Sequence, residues 1–281
     1  MSLPLDVTLL VLGAALMHAS WNAIVKSSPD KLLDTTLLAA GGGLMCLAAL
    51  PFLPPPEPAS WPWLAASVVL HFLYFIALIG AYQWGDLSHT YPLMRGVAPL
   101  LVALAGVVVL QETLTLPIWT GIALISVGIV GPMLAQHDLQ HTPTRATLIA
   151  LANAFLIASY TLVDGAGTRL SGDPVSYCVW LFMLDAIPIT SLALVLRGRE
   201  LLGYARSRWH WGLLGSALTI VSYGIVLWAL TRAPVAAVAA LRETSVVIAT
   251  VIGTVLFKEK FGGWRIPGAI LVVGGITVLR L

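Results

Sequence analysis

Tyr91-Pro92-Leu93-Met94-Arg95-Gly96-Val97-Ala98-Pro99 sets one fixed positive charge between two prolines, inside an apolar stretch that runs from Leu87 to Glu112. An arginine near the centre of a membrane-spanning helix costs about 2.5–3.5 kcal/mol on insertion scales, so it is normally kept for a reason. Pro99 lacks an amide hydrogen, and its ring collides with the carbonyl four residues earlier, that of Arg95 itself. One turn is therefore expected to present a guanidinium together with a freed backbone oxygen. Irregular, charged backbone at membrane depth is tolerated only where protein buries it or a wet cavity adjoins it.

The rest of the chain supports a membrane setting. Its 281 residues are 58% hydrophobic and only 10% charged, whereas a soluble chain carries about 25% charged residues. Mean hydropathy is +0.91, and apolar runs of about 20 residues recur along the whole length. A net charge of +2 gives no reason to expect nucleic acid as a partner. The first span has no basic leader and contains His18, Trp21 and Asn22, so a retained helix is expected rather than a cleaved signal. Cys46 and Cys178 lie in separate apolar runs without metal-ligand spacing, and no cofactor or metal is expected.

Ten helices are expected, at about 5–26, 32–53, 61–84, 87–110, 116–135, 145–164, 174–197, 209–231, 234–257 and 264–280. Ser27-Ser28-Pro29-Asp30 and the cluster Pro54-Pro55-Pro56-Glu57-Pro58 interrupt the pattern. Trp61, Trp63, Trp209 and Trp211 open spans, where amphipathic rings favour the interface. His137 to Thr144 reads as a hinge between two domains, 1–136 and 145–281.

The domains repeat. At a shift of 147 residues Arg95 falls on Arg242, Gly106 on Gly253, Val108 on Val255 and Glu112 on Glu259. Gly121 falls on Gly268, Leu124 on Leu271, Gly128 on Gly275 and Ile129 on Ile276. Ala19-Ser20-Trp21 resembles Ala158-Ser159-Tyr160 at a shift of 139. An odd number of crossings per copy inserts the copies with opposite orientation, as in many secondary transporters. The expected fold class is thus an all-α integral membrane protein of ten transmembrane helices in two inverted five-helix repeats.

With ten spans, the first-helix string His18-Ala19-Ser20-Trp21-Asn22 with Lys26, and glycine-rich fifth and tenth helices preceded by Glu112 and Glu259, the chain resembles the drug/metabolite transporter superfamily, EamA type. That resemblance implies an exporter or exchanger of amino acids or other small metabolites. It also implies a central cavity lined by the first, third, fourth, sixth, eighth and ninth helices. Both termini would then face the cytoplasm. Charge argues the other way, because the gaps after the odd-numbered helices hold ten Lys/Arg and the remaining gaps and termini hold three.

Candidate substrate-binding residues follow from polar and aromatic side chains sharing helix faces. They are His18, Trp21 and Asn22 in the first helix, His71 and Tyr74 in the third, beside Phe75 and Tyr82, and Tyr91 and Arg95 in the fourth. Asn153 and Tyr160 share a face of the sixth helix, Tyr223 shares one with Ser216 and Thr219 in the eighth, and Arg242 lies in the ninth. Polar bonds between packed helices are the competing account of each. Asp185 and Glu243 sit inside apolar runs and are the proton-coupling candidates, or else plain partners of the arginines. Glu112 and Glu259 suit caps, and Asp164 reads as a wetted helix end.

Arg95 and Arg242 each fall about eight residues into a helix, roughly 12 Å from its start. As a pair they would hold an anionic group bidentately. The expected function is secondary transport of a small polar metabolite by alternating access in a bacterial-type inner membrane. A passive channel or a flippase for a lipid-linked substrate is the alternative. No nucleophile elbow, HExxH or phosphate loop is present, so an enzyme is not expected, and only His18 and His71 sustain that reading. The expected partners are the small-molecule substrate and the lipid bilayer, with a homodimer left open.

Overall fold

The computed structural model describes residues 3–84, 87–135, 144–257 and 263–281. Ser2, the 137–143 link, Lys258, Glu259 and Lys260 lie outside them, as does the side chain of Tyr82. The described residues form helices and no strand: α1 (Leu5–Lys26), α2 (Lys31–Ala49), α3 (Trp61–Trp84), α4 (Leu87–Val109), α5 (Leu116–Leu134), α6 (Thr144–Leu170), α7 (Pro174–Leu230), α8 (Val235–Arg242), α9 (Ser245–Phe257) and α10 (Arg265–Val278). Among the described residues eight helical segments are long and apolar enough to cross a membrane. The protein is an all-helical, multi-pass integral membrane protein.

Local chemistry sets the helix ends. Asp30 opens α2 by accepting from Leu33 N at 3.0 Å. Asp173 opens α7 by accepting from Val175 N and Ser176 N at 3.1 Å each, with Pro174 in the first helical position. Beyond α4, Gln111 adopts φ 54°, the one positive value on a described non-glycine residue. That turn, which costs roughly 1 kcal/mol outside glycine, directs Glu112 at the start of α8, where both carboxylate oxygens accept from Val235 N at 3.0 Å. Glu112 also pairs with Arg169 at 2.7 Å, so it is a cap that ties the start of α8 to the end of α6.

Three expectations are corrected. The seventh helix ends where expected, at Arg197, whose backbone (φ −142°, ψ 28°) kinks α7 into two helices, but the eighth begins at once because residues 198–208 are helical too. The ninth is divided. Thr244 bonds the Leu241 carbonyl through both its hydroxyl (2.7 Å) and its amide (3.1 Å), which tightens one turn to i→i+3 spacing between α8 and α9. The sixth continues to Leu170, which places Asp164 inside the helix, with 0% exposure, rather than at a wetted end.

Interhelical contacts sort the connections into two sets. In one, Arg197 pairs with Asp30 at 3.1 Å and Arg208 with Asp34 at 3.0 and 3.1 Å, while the Arg145 guanidinium stacks 4.0 Å from the Trp84 ring. In the other, Glu57 N bonds Ser171 O, Ser176 Oγ bonds Pro54 O, and Leu3 N bonds Leu279 O. α1 and α3 each run from the second set to the first, so the sets occupy opposite ends of the bundle.

Asp34 is 1% exposed and also accepts from Tyr204 Oη at 2.9 Å. Arg208→Ala would leave that carboxylate without its charged partner. The expected cost is about 2 kcal/mol, read as a lower midpoint of thermal unfolding in detergent, with Arg208→Lys losing less.

Candidate functional site

α4 stays helical through both Pro92 and Pro99, so the irregular backbone expected around Arg95 is not there. It lies instead just past Arg242, the last residue of α8. Both arginines are buried, at 3% and 4% exposure, and both reach the same carboxylate. Arg95 Nε lies 2.5 Å from Glu243 Oε2, and Arg242 Nη2 lies 3.5 Å from Glu243 Oε1. Arg242 Nη2 also reaches Tyr160 Oη and Thr161 Oγ1 at 3.5 Å each. Two guanidiniums on one carboxylate leave a net positive centre. Arg95 Nη2 and Arg242 Nε are buried without a hydrogen-bond partner among the described residues. The Arg95–Glu243 contact is close yet poorly aligned for a hydrogen bond, because Arg95 Nε and Glu243 Oε2 are themselves unsatisfied.

Tyr160 links this centre to a second one. The Arg242 guanidinium carbon lies 5.7 Å from the Tyr160 ring, and the His71 ring lies 4.4 Å from it. Tyr74 meets Tyr160 edge-on at 5.7 Å and Phe75 at 5.2 Å. Tyr91, one turn before Arg95, is half-buried. His71 Nδ1 pairs with Asp185 at 2.9 Å, so Asp185 is held by an imidazole and does not brace the arginines. Tyr223 Oη donates to Asp164 in a very short contact, and Tyr177 Oη donates to the same carboxylate at 3.1 Å. Sequence reasoning missed Asp164 and Tyr177 as members of this cluster.

The first-helix candidates sit apart from these pairings but near them. The buried face of α1, carried by Val7, Val11, Ala14, Ala15 and Ala19, becomes half-buried at His18, Trp21 and Asn22. The His18 ring meets Trp21 edge-on at 5.0 Å. Trp21 Nε1 is buried without a partner among the described residues. Asn22 uses its amide nitrogen on the His18 carbonyl at 2.8 Å, within its own helix. Asn153 is fully buried and donates to Met94 Sδ at 2.9 Å, bracing α6 against α4, with its Oδ1 unpaired. Among the described residues no group of His, Cys, Asp and Glu has metal-binding geometry.

The family model described as the EamA-like transporter family matches residues 7–133 and again residues 144–281. The chain belongs to the EamA-like transporter family. That membership makes it a membrane transporter and not an enzyme. It is similar to a Salmonella typhimurium (strain LT2) protein named "Probable amino-acid metabolite efflux pump", 25% identical over 252 residues, covering 86% of this chain and 84% of that one. A solved crystal structure shares the EamA chain's fold, with a TM-score of 0.77, 21% identity and 98% of each chain covered.

Proposed function

We propose that the protein is a secondary transporter, an exporter or exchanger, for a small polar metabolite that bears an anionic group, such as an amino acid. The observation that carries this reading is the pair of buried guanidiniums sharing Glu243, with unpaired donors on Arg95 and Arg242. Buried donors without partners are costly and invite a ligand of opposite charge. Arginine's planar fork fits a carboxylate better than it fits water or a halide. The name of the Salmonella relative, an amino-acid metabolite efflux pump, agrees with a carboxylate-bearing cargo.

The mechanism is alternating access between two inverted five-helix copies, residues 1–136 and 145–281. Support comes from the two-fold match of one family model along the chain. α7 has 57 residues, roughly 85 Å at 1.5 Å per residue, which is enough for two crossings on either side of Arg197. Counting α8 with α9 as one interrupted crossing then brings the total to ten. Divided helices beside the substrate are a recurrent device of such carriers.

Purified protein in liposomes should take up a radiolabelled amino acid with saturable kinetics and accelerate when the same compound is loaded inside. Linear, unsaturable flux would replace this reading with a channel, and movement of a lipid-linked probe alone would replace it with a flippase. The excess of Lys and Arg at the Asp30 and Arg208 end supports a cytoplasmic face there, in a bacterial-type inner membrane. A cysteine at Leu281 should then react with an impermeant maleimide in intact cells, and protection would reverse the orientation.

A further inference from the structure

The acidic cluster beyond Tyr160 has no part in holding an anion. Asp164 is wholly buried, the Asp185 side chain is 16% exposed, and His71 stands between them. The groups facing the imidazole are Ser67 on its own helix, Asp164 and Tyr160 from α6, and Asp185 and Tyr223 from α7, with Arg242 of α8 across the Tyr160 ring. His71 Nε2 lies 3.8 Å from Asp164 Oδ2, beyond hydrogen-bond length, and Asp185 Oδ1 has no partner among the described residues. Two carboxylates set this deep need a compensating cation. His71, paired with Asp185 and facing Asp164, is the group placed to carry that charge as a proton.

We propose that His71, Asp164 and Asp185 form a proton-binding site whose occupancy rises when an anion binds at Arg95 and Arg242, with Tyr160 as the wall between the two sites. This rests on the anion-binding reading above. The sign follows from charge. A bare guanidinium opposite His71 repels a proton there, and an anion that neutralises the guanidinium removes the repulsion. From the ring distances of 4.4 and 5.7 Å on Tyr160, the imidazole and the guanidinium are within about 10 Å of each other. At an effective permittivity near 20, one unit charge at that spacing changes proton affinity by about tenfold. Linkage is reciprocal, so protonation strengthens anion binding by the same factor. Substrate and proton then bind together, which makes the carrier an exchanger of protonated cargo rather than an exporter driven by proton antiport.

The test begins with a thermal-shift screen of the twenty amino acids on the full-length protein in detergent. The amino acid that stabilises most, and its deaminated carboxylic acid, serve as probes. Either probe, added in a weakly buffered solution with a pH-indicator dye, should cause proton uptake, and its Kd should tighten about tenfold from high to low pH. Asp185→Asn should bind the probe with a Kd that no longer responds to pH. If no amino acid or deaminated acid binds, the anion-binding reading fails and this one falls with it. If the probes bind without proton uptake, or with proton release, this inference alone is wrong. It is also wrong if uptake persists in Asp185→Asn and disappears in Glu243→Gln, because the proton then goes to the carboxylate released from Arg95. Uptake by the wild type needs no variant, so a misfolded Asp185→Asn does not spare the claim.

Discussion

Arg95→Lys is expected to insert and fold like the wild type and to transport about a hundredfold more slowly. Lysine keeps a positive charge beside Glu243, so the buried carboxylate remains compensated and the bundle retains its stability. What lysine lacks is the planar fork, with Nη2 now unpaired and available to a ligand. Losing one charge-assisted bond to the cargo is worth about 1.5–3 kcal/mol, which reaches about a hundredfold in rate when the bond is made only in the transition between states. The measurement is counterflow in liposomes, normalised to reconstituted protein and accompanied by a melting curve. Normal transport by Arg95→Lys would make the arginine structural.

The alanine series separates the two roles further. Arg95→Ala leaves Glu243, 1% exposed, with the 3.5 Å contact to Arg242 as its one ion pair among the described residues. Breaking a buried pair costs about 3–5 kcal/mol, so this variant should be poorly folded. Arg95→Ala/Glu243→Gln removes both charges and should fold again without transporting. A double variant that folds and transports would overturn the anion-binding proposal.

Much of this was legible in the sequence, and the losses have physical causes. The hydrophobic runs and the isolated charges within them are composition, so the helical membrane class and the set Arg95, Arg242, Glu243, His71 and Asp185 stood out. Pairing did not. Which carboxylate meets which cation depends on the packing of helices far apart in sequence, so Asp185 reads as a proton-coupling candidate or a partner of the arginines, and it pairs with His71. Asp164 reads as a wetted helix end, followed by Gly165-Ala166-Gly167. In the structure those glycines are contact points: a Cβ on Gly165 would lie 2.7 Å from Val235 Cγ2, and one on Gly167 2.5 Å from Tyr177 Oη. Proline misled in the same way. Pro92 and Pro99 lie within a continuous α4, whereas the interruption falls at Thr244, a residue whose hydroxyl competes locally for backbone oxygen.

Gly128→Ala is expected to cost about 3 kcal/mol, near the top of the range for overpacking, and its effect should be matched at one other position. α5 and α10 meet backbone to backbone. A Cβ on Gly128 would lie 2.6 Å from Gly268 O, and one on Gly268 2.5 Å from Gly128 O. A Cβ on Gly121 would lie 2.9 Å from Gly275 O, and one on Gly275 2.8 Å from Gly121 O. A carbonyl in a helix ladder has no rotamer to change, so the helices themselves must part, and close approach is what holds membrane helices together. The 147-residue shift places Gly121 on Gly268 and Gly128 on Gly275. A two-fold axis between inverted copies would therefore turn the Gly121–Gly275 contact into the Gly128–Gly268 contact. If the repeat is real, Gly128→Ala and Gly275→Ala should lower the melting midpoint alike, and so should Gly121→Ala and Gly268→Ala. Gly274→Ala is the control, because nothing lies within 4 Å of its Cβ position, and helix propensity alone makes it neutral or slightly stabilising. Unequal costs within either matched pair would argue against the symmetry, and a harmless Gly128→Ala would mean that α5 and α10 do not touch as closely as these distances require.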